Sequence, residues 1–167
     1  SLGALTPADL SLYDVLEEEI HLLFDFGEYY FPLLAKLEAF EFKNRQHLSL
    51  RVDPIGNFLE YSKSMFSMKE HVYFIQQIFN SNHGLKIDRV FNFSSQVVLN
   101  AGANNVQEIA YLLSNAYFWI KKIGLKQARE VIGYMHFTLG VDSELFHNIA
   151  KIKAFRLVWS RLMDILD

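Results

Sequence analysis

The sequence predicts an α/β fold built from parallel strand–helix units. Three observations predict it. Apolar periodicity switches repeatedly between two and 3.6 along the chain. Short apolar runs alternate with amphipathic stretches, in the order helix, then four strand–helix pairs. No low-complexity linker breaks the 167 residues, so 1–167 reads as a single domain. Strands separated by helices pair in parallel through right-handed crossovers. Four of them make a small open sheet or half of an eight-stranded barrel, and periodicity does not choose between the two.

The elements follow in order. Thr6-Pro7-Ala8-Asp9 has the chemistry of a helix start: a Thr cap, Pro at the first helical position, and an acid at the positive end. Ile20 to Phe24 reads as a buried strand ending at Asp25-Phe26-Gly27, and a helix follows from about Phe31 to Glu41. Leu48 to Val52 is a second strand, stopped by the turn Asp53-Pro54-Ile55-Gly56. Ser67 and Glu70 form a capping box for a helix reaching about Asn80, which Asn82-His83-Gly84 breaks. Arg89 to Phe93 opens a third strand leading to the loop Asn100–Asn105. In the next helix Val106, Ile109, Ala110, Leu113, Ala116, Tyr117, Ile120 and Ile123 fall on one stripe, and Gly124 ends it. A short helix from about Lys126 to Ile132 precedes a fourth strand, Tyr134 to Leu139. The last helix runs from about Ser143 to Ile165, with Ile149, Ile152, Phe155, Trp159, Leu162 and Leu166 facing inward.

Composition excludes several functions. Half the residues are hydrophobic and 15% aromatic, which a disordered chain does not carry. The net charge of −3 and a pI near 6.1 argue against nucleic acid and against an acidic membrane surface. The absence of cysteine removes disulfides, Cys-ligated metals and Cys nucleophiles. No apolar run has the length of a spanning helix, and no signal peptide opens the chain, so a soluble cytoplasmic protein is expected. A start at Ser1 instead of Met reads as a trimmed chain or a fragment.

Candidate chemistry is sparse. Asp25 and Asp53 both fall at the C-terminal ends of strands, the rim that carries chemistry in barrels and open α/β sheets. Paired, they could do acid–base work; the favoured reading is turn chemistry before Gly and Pro. Ala101-Gly102-Ala103 precedes a helix and could hold an anion on backbone amides, or simply make a tight turn. None of the six histidines has zinc-pair spacing, and His136 reads as a satisfied core residue. Lys151, Lys153, Arg156 and Arg161 form a basic strip on the last helix, which could meet a phosphate-bearing partner but is read as a solvated face.

Three segments together resemble one family. Asn100 to Ala110 is similar to the signature A-G-A-x-x-V-Q-E-I/L-A of the cobalamin-dependent methylmalonyl-CoA mutases. Val141 to Trp159 is similar to V-G-S-N-F-F-x-E-I-A-K-x-R-A-x-R-x-x-W, with Ser143, Phe146, Ile149, Ala150, Lys151, Ala154, Arg156 and Trp159 matching. Asp53-Pro54-Ile55-Gly56 resembles the D-P-I/L-G turn of that family's small subunit. The departures are as informative. Gln96 and Val97 stand where catalytic subunits place a Tyr-His pair, and Tyr134-Met135-His136 stands where they carry an Arg-x-Ser strand that holds the acyl-CoA. Asp142, Glu144 and Asn148 also depart from the second signature. The cobalt-ligating D-x-H-x-x-G motif does not occur in this chain.

The resemblance implies about half of a TIM (β/α)8 barrel. It also implies a noncatalytic small-subunit segment, with no catalytic, cofactor-binding or metal residue of its own. Adenosylcobalamin and the isomerisation of methylmalonyl-CoA and succinyl-CoA would belong to a large catalytic subunit as partner. A free-standing enzyme using Asp25 and Asp53 is the alternative, and an acyl-CoA-binding module is a further one. A half-barrel would leave two strand edges unpaired and an apolar sheet face uncovered, so self-association as a two-fold dimer is expected.

Overall fold

The computed structural model describes residues 21–30, 47–80, 87–124 and 128–166. The expected helix start at Thr6–Asp9, the helix at 31–41 and the break at Asn82–Gly84 lie outside these residues. The described strands are β1 (His21–Phe24), β2 (His47–Val52), β3 (Ile87–Ser94) and β4 (Met135–Thr138). The helices are α1 (Pro54–Tyr61), α2 (Met68–Asn80), α3 (Gln96–Asn100), α4 (Asn105–Ile123), α5 (Ala128–Gly133) and α6 (Leu145–Leu166), with a 3-10 turn at Gly27–Tyr29.

The fold is α/β, and the four strands form one all-parallel sheet in the order β1-β2-β3-β4. Doubly wound sheets reverse their strand order at a switch point. A barrel wall keeps sequence order, as here, so the topology is consistent with a partial barrel. Register is direct at both flanks: Leu22 faces Leu48 in the first pairing and Phe93 faces Phe137 in the last. It slips between β2 and β3. On the far side of β3, the amides of Val90 and Phe91 both donate to the Tyr134 carbonyl, at 2.9 and 3.1 Å, which is the mark of a bulge.

Alternation gives the sheet two unlike faces. Phe24, Leu50, Val52, Phe91, Phe93 and Met135 are buried. Phe91 lies 5.8 Å from Trp119 of α4, and Phe137 lies 4.9 and 4.8 Å from Phe155 and Trp159 of α6. These aromatic contacts hold the helices on one side. The opposite face is not apolar, contrary to expectation. Leu23, Asp25, Arg51, Asn92, Ser94 and Thr138 share a shallow depression of about 400 Å³ there, and Thr138 Oγ1 donates to Asn92 Oδ1 at 2.9 Å. β1 is accordingly not doubly buried: His21 and Leu23 are exposed.

Two helices bury part of the stripe that apolar periodicity gives them, Ala116, Ile120 and Ile123 on α4 and Phe155 on α6, and bury polar residues beside it. On α4 the buried residues are Glu108, Leu112, Asn115, Ala116, Trp119, Ile120 and Ile123, while Val106, Ala110 and Tyr117 face solvent. On α6 they are Asn148, Lys151 and Phe155, while Ile149 and Ile152 are exposed and Trp159 is half-buried. In both cases the inward face includes polar residues that find partners inside. Two short helices were not foreseen: α1, where a turn was expected at Asp53–Gly56, and α3, between the third strand and its loop. The Ser67–Glu70 cap and the stop at Gly124 stand as expected. No helix among the described residues is long and apolar enough to cross a membrane.

Candidate functional site

The C-terminal ends of the strands form a rim, and two buried carboxylates organise it. Asp53 follows β2 and caps α1; Pro54 sets the first helical position behind it. Its Oδ1 accepts from Gly56 N and Asn115 Nδ2, both at 2.9 Å, and its Oδ2 accepts from Ser94 N at 3.4 Å. A Cβ on Gly56 would collide with this carboxylate, so the glycine is what permits the close cap. Burial pushes the Asp53 carboxyl above its ordinary range, against its hydrogen bonds and the nearby Arg51 charge.

Glu108, on the first turn of α4, is the second. It is wholly buried, and Lys151 of α6 donates to its Oε2 at 2.7 Å and to the Gly140 carbonyl at 2.6 Å. Glu108 Oε1 accepts from Gly140 N at 2.9 Å and from the Ser95 hydroxyl. The network therefore bolts together the ends of β3 and β4 and the starts of α4 and α6. Lys151 is thus not part of a solvated basic strip; Lys153, Arg156 and Arg161 remain exposed. The Glu108–Lys151 pairing was not read from the sequence. Its only signal was a carboxylate and an ammonium, each inside one of two separate family-like segments.

The two aspartates of the enzyme reading do not converge. Asp25 is exposed, pairs with Arg51 Nη1 at 2.8 Å, and accepts from Gly27 N at 3.1 Å. It lines the polar depression on the open sheet face, whereas Asp53 lines a separate rim cavity of about 520 Å³. Arg51, Ser94 and Gln96 border both. Gln96 and Val97 form the first turn of α3, and Gln96 Nε2 is held by Asn100 Oδ1 at 2.8 Å.

The Ala101-Gly102-Ala103 loop takes the turn role. Gly102 has a φ of 88°, and the following helix start is closed by its own side chains. Asn104 Oδ1 accepts from Val106 N and Gln107 N at 3.0 Å, and Gln107 Oε1 accepts from Asn104 N at 2.9 Å. Amides engaged this way are not offered to an anion. His136 is half-buried; its Nδ1 is buried without a hydrogen-bond partner, while the Phe91 backbone holds the ring by a hydrogen bond, so it is a satisfied core residue only in part. Burial, then the Arg89 charge, pull its imidazole below the usual range. His71, which no motif singled out, is buried and hydrogen-bonded at both ring nitrogens.

A family model described as methylmalonyl-CoA mutase matches residues 35–165. Neither a curated protein nor a solved structure matches the chain.

Proposed function

Since the chain belongs to the methylmalonyl-CoA mutase family, we propose that it is a segment of the noncatalytic small subunit of such a mutase. Its role is to pair with a large catalytic subunit, which performs the isomerisation of methylmalonyl-CoA and succinyl-CoA with adenosylcobalamin, in the cytoplasm.

One observation carries the reading: the polar groups of the rim are spent on architecture. Both oxygens of Asp53 and both oxygens of Glu108 are engaged by groups of this chain. Gln96 and Val97 occupy the turn where the resembled catalytic chains carry a Tyr-His pair. Neither side chain is a general acid or base at neutral pH. No histidine lines the rim cavity among the described residues, so its donors do not fit cobalt ligation. Among the described residues the outer edges of β1 and β4 carry no further strand, which supports association with another chain, a second copy included.

The test is an activity and binding experiment. The purified chain with adenosylcobalamin is expected to give no methylmalonyl-CoA turnover. Mixed with the large subunit, it is expected to co-elute with it in gel filtration. Turnover by the chain alone would overturn the noncatalytic reading. Separate elution at micromolar concentrations would overturn the pairing.

A further inference from the structure

The 3-10 turn Gly27–Tyr29, the connection 62–67 and α2 meet around a buried imidazole far along the chain from the carboxylates of the rim. His71, on the first turns of α2, is 2% exposed. Its Nδ1 lies 2.8 Å from the Tyr30 hydroxyl, and its Nε2 lies 3.1 Å from Ser64 Oγ. The Ser64 hydroxyl donates to the Phe66 carbonyl at 2.8 Å. Its one proton is spent there, so toward His71 it accepts. These partners assign the neutral ring as the Nε2–H tautomer, with Nδ1 accepting from Tyr30.

Glu28 completes the cluster. One of its oxygens, Oε2, accepts from Met65 N. The other, Oε1, is buried, has no hydrogen-bond partner, and lies 4.0 Å from His71 Nε2. A buried carboxylate oxygen without a donor is costly to maintain. Among the described residues, the titratable and hydrogen-bonding groups facing the ring are Glu28 and Tyr30 from the turn after β1, Ser64 from the connection, and Glu70 from α2 itself, none of them a cation.

We propose that His71 and Glu28 form a proton-operated clasp on the connection 62–67, in which one proton from solvent closes their 4.0 Å gap into an ion pair and releases Ser64. The proton enters at Nδ1. Tyr30 then accepts from Nδ1–H, and its own hydroxyl hydrogen gives up the ring as acceptor. The Nε2–H swings from Ser64 Oγ to Glu28 Oε1, which gains its missing donor. The connection loses its Ser64 tie to the ring and keeps the Met65 amide on Glu28, the Phe66 ring edge-on to His71 and the Ser67 carbonyl on the His71 amide. It leads out of Tyr61 and carries Met65, which are 60% and 61% exposed, so ring protonation sets how that apolar surface is presented. Burial pulls the imidazole below its ordinary range, opposed by Glu28 and Glu70, which places the change on the acid side.

Two-dimensional NMR of the labelled chain between about pH 4.5 and 8 tests this. The His71 ring is expected to titrate, with the Ser64 and Met65 amide shifts following the same midpoint. Glu28→Gln is expected to lower that midpoint by about one pH unit, because an opposite charge nearby is removed, and to abolish the amide response. Ser64→Ala, at an exposed site, is expected to raise it, because only the neutral ring loses a partner. The proposal falls if the ring stays neutral until the chain unfolds. It falls equally if the Ser64 and Met65 amides ignore the ring, or if Glu28→Gln leaves the midpoint unmoved.

Discussion

Glu108 and Asp53 are both carboxylates buried at strand ends, and they are stabilised by different means. Glu108 has an ammonium against it and two further donors. Asp53 has only neutral donors, two backbone amides and one side-chain amide, with Arg51 acting at longer range. The balanced site ties together four elements and leaves no uncompensated charge. The other ties α1 to α4 and β3, and burial raises its carboxyl above the ordinary range. A cation therefore allows a tight multi-element junction, while dipoles alone allow a helix cap whose carboxyl burial still raises.

The largest expected effect comes from breaking the balanced site on one side. Lys151→Met leaves Glu108 charged and buried, and loss of one partner of such a pair costs about 3–5 kcal/mol. For a chain of this size that is a melting temperature lower by roughly 6–20 °C, read by calorimetry. A loss below 1 kcal/mol would mean that Glu108 takes up a proton or finds water, and the contrast with Asp53 would vanish. Asp53→Ala comes next. It removes a helix cap and leaves the Asn115 amide without its acceptor, together about 2–3 kcal/mol in a urea titration.

The pH dependence sharpens the comparison further. Asp53 has a folded pKa raised above its ordinary 3.8. Between those values the folded state holds more protons than the unfolded one, so stability falls as pH rises through that window and is level above it. Asp53→Asn is expected to flatten this limb of the stability–pH curve, while the Glu108–Lys151 junction is untouched. The smallest effect belongs to the exposed Asp25–Arg51 pair, whose two side chains are 49% and 36% exposed. Asp25→Ala should change stability by about 0–1 kcal/mol, and less in high salt. A large loss would make Asp25 a structural member of the rim after all.

What was legible in the sequence was local. The four strands, the Ser67–Glu70 cap and the stop at Gly124 are set by residues a few positions apart. The first turns of α1 and α3 were hidden because Asp53-Pro54 and Ser95-Gln96 have the same composition as turns. The inward faces of α4 and α6 were only partly legible, for a different reason. Apolar periodicity counts Val106 and Ile149 as core and Glu108 and Lys151 as surface. The fold inverts this because Glu108 and Lys151, 43 residues apart, neutralise each other inside. Asn115 is likewise inward because Asp53 awaits it, 62 residues earlier. No single-helix pattern carries such a partner. The family-like segments contained all of these residues except Asn115, but resemblance gave no account of why they are there.

The sequential strand order has a kinetic consequence. β1 reaches β2 across 26 residues, β2 reaches β3 across 39, and β3 reaches β4 across 44, judged from His21 and His47, Leu48 and Ile87, and Phe91 and Met135. Closing loops of these lengths differs by only about 0.5 kcal/mol, since the entropy grows with the logarithm of length. Chain connectivity thus imposes almost no order of assembly, and side-chain burial decides it. The central pair joins Leu50 and Val52 to Phe91 and Phe93, all at 0% exposure, whereas β1 offers an exposed Leu23 and β4 an exposed Thr138. Folding is expected to nucleate on β2–β3 and grow outward, so Val52→Ala should slow refolding, while Thr138→Ala should act mainly on the unfolding arm of a chevron.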